Sequence, residues 1–221
     1  MSTVALRHNR IDLALHELRS PTDSGRPLLL LHALGSQSPD AVPEWADSWP
    51  GAIAALDFTG HGASTVPRCG GYSPELLLAD ADHALAHLVG DDPDAAITVV
   101  GTGLGAYIGL QLAGARAPRV HGAILLDGPG LAGGPTGPSS HNHFHLPSDG
   151  RAPDPYALME LGRDLRPADY ATSFVRLANS GSPADTPIAV CATFRPAWLA
   201  AVVDAPGVID TTLDDALSTF A

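Results

Sequence analysis

Apolar residues in this chain gather in short runs with no polar alternation. The runs are Pro27-Leu28-Leu29-Leu30-Leu31, Ala52-Ile53-Ala54-Ala55-Leu56, Ala96-Ile97-Thr98-Val99-Val100, Gly122-Ala123-Ile124-Leu125-Leu126 and Pro187-Ile188-Ala189-Val190-Cys191-Ala192. A strand reads this way when both of its faces are covered, as in a parallel sheet flanked by helices. Between the runs the period changes. Ser73-Pro74-Glu75 offers an N-cap, a proline at the first helical position and an early acid. Leu76, Leu77, Leu78, Ala81, Ala84, Leu85 and Leu88 then carry a helix as far as Gly90. A second helix is expected from about Leu104 through Ala113, and a last short strand at Val208-Ile209-Asp210. Alternating strands and helices predict an α/β fold with a mostly parallel central sheet and helices on both faces.

The stretch 129–185 breaks this rhythm. Pro129-Gly130-Leu131-Ala132-Gly133-Gly134-Pro135 is dense in chain breakers and reads as an irregular loop. Helical patches follow from about Pro155 to Leu165 and from Pro167 to Ala178. The expectation is a single domain over residues 1–221, carrying a short insertion at about 129–185 that is placed to act as a lid.

Composition narrows the partners. A length of 221 residues with 45% hydrophobic content is enough for one domain with a sizeable core. The formal net charge of -12 gives no basic footprint for nucleic acid and disfavours anionic membranes, so neither is expected as a partner. Two cysteines, Cys69 and Cys191, are too few for a disulfide framework. Neither a membrane-spanning run nor a signal-peptide core is seen, and a cytoplasmic location is expected. No cofactor or metal is implied; a small-molecule ligand and a homo-oligomer are both compatible with the sequence.

The chemistry centres on Val99-Val100-Gly101-Thr102-Gly103-Leu104-Gly105-Ala106. A strand followed by small-x-x-x-small and then a helix resembles the nucleophile elbow of the α/β-hydrolase superfamily, in which the middle residue attacks a carbonyl. Here that residue is Gly103, which has no atom to attack with. Two further segments carry the same resemblance. His32-Ala33-Leu34-Gly35 is similar to the His-Gly loop that supplies half of an oxyanion hole, and Asp57-Phe58-Thr59-Gly60-His61-Gly62-Ala63-Ser64 is similar to the turn after the next strand. The resemblance implies that the backbone N–H groups of Leu34 and Leu104 form the hole, able to receive a carbonyl or carboxylate oxygen. It also implies that His32 borders this ligand site with Gly103, and that His32 and His61 pack and hydrogen-bond around the loop.

The rest of a hydrolytic triad is missing from its expected places. The family's acid would follow the strand at 187–192, where the chain reads Thr193-Phe194-Arg195-Pro196. Its histidine would follow the last strand, where Thr211-Thr212-Leu213-Asp214-Asp215 stands, and no histidine occurs after His145. Asp127, at the end of the strand at 122–126, is an alternative acid. His141, His143 and His145 alternate, so in an extended segment they share one face and can converge on a metal or enter the pocket from the lid. The reading is a degenerate member that has lost serine hydrolase activity and works as a pseudoenzyme binding a small molecule or partner. The alternative is a non-hydrolytic lyase, dehydratase or cyclase using a lid histidine. Gly101-x-Gly103-x-x-Ala106 also fits a dinucleotide-binding fingerprint, but that motif belongs to the first strand of its domain, and here at least two strands precede it.

Overall fold

The computed structural model describes residues 2–21, 25–68, 70–131, 153–162 and 166–221. Two strands open the chain, β1 (Ser2–His8) and β2 (Ile11–Arg19), joined by a two-residue turn with Asn9 at φ 57. Asparagine tolerates that left-handed conformation, and such turns match the twist of the strands they join. Next come β3 (Leu28–Leu31), β4 (Ile53–Leu56), β5 (Ile97–Thr102), β6 (Val120–Leu126), β7 (Ile188–Val190) and β8 (Val208–Asp210). They form one eight-stranded sheet in the order β1-β2-β4-β3-β5-β6-β7-β8. The pairings from β4 through β8 are parallel, whereas β2 runs antiparallel to both β1 and β4. The sequence reading foresaw the six parallel strands, but not the hairpin at the edge.

The period of two within each apolar run divides the core. Leu29, Leu31, Val99 and Leu125 face one side of the sheet, and Leu28, Leu30, Val100 and Ile124 face the other. On the first side lie α1 (Pro74–Val89) and α2 (Leu104–Ala115). The Ser73 hydroxyl caps α1 by accepting from the Leu76 N–H, and Gly90 ends it at φ 55. The second side is thinner. Between β3 and β4 the chain makes only one 3-10 turn, Glu44–Ala46, and α6 (Leu213–Phe220) covers the rest.

Between β6 and β7 lie α3 (Pro155–Leu161) and α4 (Ala168–Gly181), and α5 (Ala197–Val203) follows β7. Helix α4 packs against α2 and α5 on the first side of the sheet, and the backbone of Phe174 approaches Gly114 closely. Among the described residues no helix is long and apolar enough to cross a membrane.

Candidate functional site

The C-terminal ends of β3, β5 and β6 meet at Gly103. This residue has φ 55 and ψ -108, a conformation that strains any residue bearing a side chain, and it stands as the N-cap of α2. Its N–H is fixed by the Leu126 carbonyl at 3.0 Å. The N–H groups of Leu34 and Leu104 converge as an oxyanion hole requires, and the oxygen between them belongs to the chain itself. Leu34 N–H donates to the Pro129 carbonyl at 2.9 Å, and Leu104 N–H donates to the same oxygen at 3.0 Å.

Residues 128–131 therefore form a strap across the elbow. A Cβ placed on Gly103 would overlap the Pro129 carbonyl oxygen and lie 2.6 Å from the carbonyl carbon of Gly128. One placed on Gly130 would overlap the amide nitrogen of Leu104. The absence of side chains on both sides is what lets the strap lie this close. Its far end is fixed by the Trp198 indole N–H, which donates to the Leu131 carbonyl at 2.8 Å, with Leu131 itself buried. The space left among Gly103, Asp127, Gly130, Leu131 and Trp198 is about 10 Å³. That is room for about one water.

The two histidines of the flanking loops are both buried and turned into the fold. His32 places Nδ1 2.8 Å from the Ala33 carbonyl, and its Nε2 accepts from Phe58 N–H at 3.1 Å. Burial lowers its pKa. His61 places Nδ1 3.2 Å from the Thr59 carbonyl and accepts on Nε2 from Gly35 N–H at 3.3 Å. Burial, and then the neighbouring His32, push its pKa down to about 3. Both rings are neutral cross-braces between loops, with no ring nitrogen left for a ligand.

Asp57 is the hub beneath them. Its Oδ1 accepts from Ser38 N–H at 2.7 Å, and its Oδ2 accepts from Ala63 N–H at 2.8 Å and lies 3.0 Å from Nε2 of His16 on β2. Burial works to raise the Asp57 pKa, but the Ala63 N–H, the His16 ring and the Ser38 N–H hold it below the ordinary value. Asp80 on α1 is wholly buried and accepts from Thr59 N–H at 2.9 Å. Its other oxygen has no partner among the described residues, and burial raises its pKa to about 6.

At the far side of the elbow, Asp127 uses Oδ2 to accept from the N–H groups of Thr193 and Phe194, at 3.0 and 2.8 Å. It ties the end of β6 to the loop after β7, and no histidine among the described residues hydrogen-bonds it. After β8 the chain enters α6 through Thr212, whose hydroxyl caps the helix. Asp210 pairs with Arg195. His141, His143 and His145 lie outside the described residues. Among those described, no group of three or more metal-ligating side chains comes together.

A profile described as the alpha/beta hydrolase family matches residues 28–220. This chain belongs to the alpha/beta hydrolase family. None of the curated proteins searched matches it in sequence. Among solved structures, the N-formylmaleamic acid deformylase of Pseudomonas putida is 16% identical, with a TM-score of 0.59 over 97% of this chain and 93% of that one. A membrane phospholipase A, described as a bacterial virulence factor, is 16% identical with a TM-score of 0.56, over 94% and 77% of the two chains. The thioesterase domain of the curacin biosynthetic pathway is 25% identical with a TM-score of 0.49; that match covers 57% of this chain and 44% of the thioesterase. Less than half of the thioesterase's length is thus matched, and the two longer likenesses bear on the fold alone.

Within this alpha/beta hydrolase family member, α3 is fastened to the β4 to α1 connection by contacts the sequence did not announce. The Tyr72 hydroxyl donates to Asp154 Oδ2 at 2.6 Å, Asp154 N–H donates to the Gly60 carbonyl, and Glu160 Oε2 accepts from the N–H groups of Gly71 and Tyr72. The strap was missed as well. Its signal was present in Gly128-Pro129-Gly130, one residue beyond the end of β6, since glycines on both sides of a proline suit a close backbone approach.

Proposed function

We propose that this alpha/beta hydrolase family member is a pseudoenzyme, a binding protein on a hydrolase frame that performs no serine hydrolysis. The observation that carries the reading is the Pro129 carbonyl, which accepts both N–H groups of Leu34 and Leu104 while its own backbone fills the space above Gly103. Triad hydrolysis needs a nucleophile, a base and an open hole for the developing oxyanion. Gly103 supplies no nucleophile, Asp127 is engaged by two backbone N–H groups, and the hole holds a peptide oxygen. An external carbonyl or carboxylate ligand can use the Leu34 and Leu104 N–H groups only by displacing the strap.

The test is direct. Purified protein incubated with p-nitrophenyl butyrate should release p-nitrophenol no faster than buffer, and a fluorophosphonate probe should label nothing. Covalent labelling of any serine or threonine, with turnover of the ester, would refute the proposal.

A further inference from the structure

The two edges of the sheet are unlike. At one, β8 is three residues long and its last residue, Asp210, is tied to Arg195, so it offers another chain little to pair with. At the other, β1 runs for seven residues and pairs with β2 alone among the described residues. Its register is unbroken from Ser2 opposite Glu17 to His8 opposite Ile11, with no bulge. No proline stands in it, and Arg7 is its one residue of fixed charge. A long edge without a bulge, a proline or a row of charges is a template for a further strand. Cross-strand contacts also hold this edge extended in advance. The Thr3 hydroxyl lies 3.0 Å from Nδ1 of His16, and Arg7 pairs with Asp12 at 3.3 Å.

The bonds made by β2 fix which groups of β1 face outward. Ala14 N–H donates to Ser64 Oγ, and its carbonyl accepts from Asp57 N–H. Asp12 N–H donates to Thr65 Oγ1, and its carbonyl accepts from Thr65 N–H. Both residues thus turn their backbone groups away from β1. Residues directly opposite in an antiparallel ladder exchange both bonds or neither. Ala5 and Arg7, opposite Ala14 and Asp12, therefore turn N–H and C=O to the open edge, and Thr3 follows by the period of two.

We infer that β1 is a self-recognition edge, through which two copies of this chain join antiparallel about a two-fold axis at Ala5 to make one continuous sheet. In that register Ala5 meets Ala5, and Thr3 of each copy meets Arg7 of the other. Each outward residue exchanges two backbone bonds with its opposite, about six in all. Val4 of one copy lies opposite Leu6 of the other in the closely spaced pairs, so two half-buried apolar side chains cover each other. No like charges stand opposed. The charge balance also favours this edge: residues 2–19 set Arg7, Arg10 and Arg19 against Asp12 and Glu17, a net of +1 with histidine neutral, in a chain whose net charge is -12. Two copies repel least where that hairpin leads. The inference stands independently of whether the elbow is inert.

The test uses the whole chain without an N-terminal tag, under reducing conditions so that Cys69 and Cys191 cannot cross-link. Sedimentation velocity from about 2 to 500 µM should show a monomer-dimer equilibrium with a Kd of roughly 10–100 µM, as suits a junction at the small end of protein interfaces. Over the same range, hydrogen exchange followed by NMR should slow at least about fivefold at the Thr3, Ala5 and Arg7 amides, in proportion to the dimer formed. Ala5→Pro removes only an outward N–H, and Ala5→Lys sets two ammonium groups face to face on the axis. Each should raise the Kd at least about tenfold while far-UV circular dichroism stays native. Ala200→Lys, at an exposed position on α5, should leave the Kd unchanged. A chain that stays monomeric to the top of the range would overturn the inference. So would a dimer whose Thr3, Ala5 and Arg7 amides exchange as fast as in the monomer, one that survives both Ala5 variants, or one weakened equally by Ala200→Lys. None of these readings depends on ester turnover, so failure here leaves the pseudoenzyme test unaffected.

Discussion

Restoring a serine at the elbow should damage the fold rather than revive chemistry. In Gly103→Ser, three effects add. A side chain at φ 55 and ψ -108 strains the backbone by about 1–3 kcal/mol. The new Cβ overlaps the Pro129 carbonyl oxygen, and the obstruction is backbone, not the tip of a flexible side chain. Relieving that overlap moves the strap and breaks the two hydrogen bonds from Leu34 and Leu104, each worth about 1 kcal/mol net and more if the N–H groups stay buried without partners. The total is roughly 3–5 kcal/mol, a large share of the 5–15 kcal/mol typical of a domain. Urea unfolding followed by far-UV circular dichroism measures it. With a slope of about 2 kcal/mol per molar, the midpoint should fall by about 1.5–2.5 M. Gly103→Ala supplies the internal control, because the overlapping atom is Cβ and not the hydroxyl. The two variants should agree within about 0.5 kcal/mol, the usual spread for changes that add no new interaction. A loss below about 1 kcal/mol in either variant, or esterase activity in Gly103→Ser, would refute the account of the strap.

Asp127→Ala removes the acceptor of two backbone N–H groups and should cost about 1–3 kcal/mol, with faster hydrogen exchange at Thr193 and Phe194; unchanged exchange there would dismiss the clamp. His61, with its pKa lowered from 6.5 to about 3, contributes stability that is fully present above pH 6.5 and lost as pH falls through about 3. His61→Gln should therefore flatten the acid limb of a plot of stability against pH, and an unchanged limb would contradict this. Asp80, with its pKa raised from 3.8 to about 6, behaves in the opposite sense: its contribution is present below pH 3.8 and lost as pH rises through about 6. Asp80→Asn should thus gain about 1–3 kcal/mol more relative to wild type at pH 8 than at pH 4, and equal effects at the two pH values would show that the carboxyl stays ionised throughout.

The parts of this molecule visible in its sequence are those written in local periodicity. Leu28 to Leu31 and Ala96 to Val100 declare doubly buried strands because no charged residue interrupts them and Thr98 is the one polar member, and Ser73, Pro74 and Gly90 mark both ends of α1. Gly103 was readable because an elbow has a fixed spacing. The occupant of the hole was not, because it depends on where the end of β6 lies relative to the end of β3, some hundred residues earlier. The same holds for His16 and Asp57, and for Tyr72 and Asp154. These pairs join polar residues on different elements, and no sequence spacing links them. The first two strands were overlooked for another reason: they lie at the sheet edge, where His8, Arg10 and Asp12 dilute the apolar signal.

The Pro129 strap also bears on how this lineage can change. Any side chain introduced at Gly103 meets an occupied site, so it lowers stability whatever chemistry it could bring. Shortening or rerouting residues 128–131 first uncovers two backbone N–H groups with nothing to bind. Each single step toward an open elbow therefore costs stability by itself, and only a concerted change of strap and elbow avoids that cost. The peptide oxygen between Leu34 and Leu104 thus locks the two positions together, so that neither strap nor elbow can be altered alone without cost to the other.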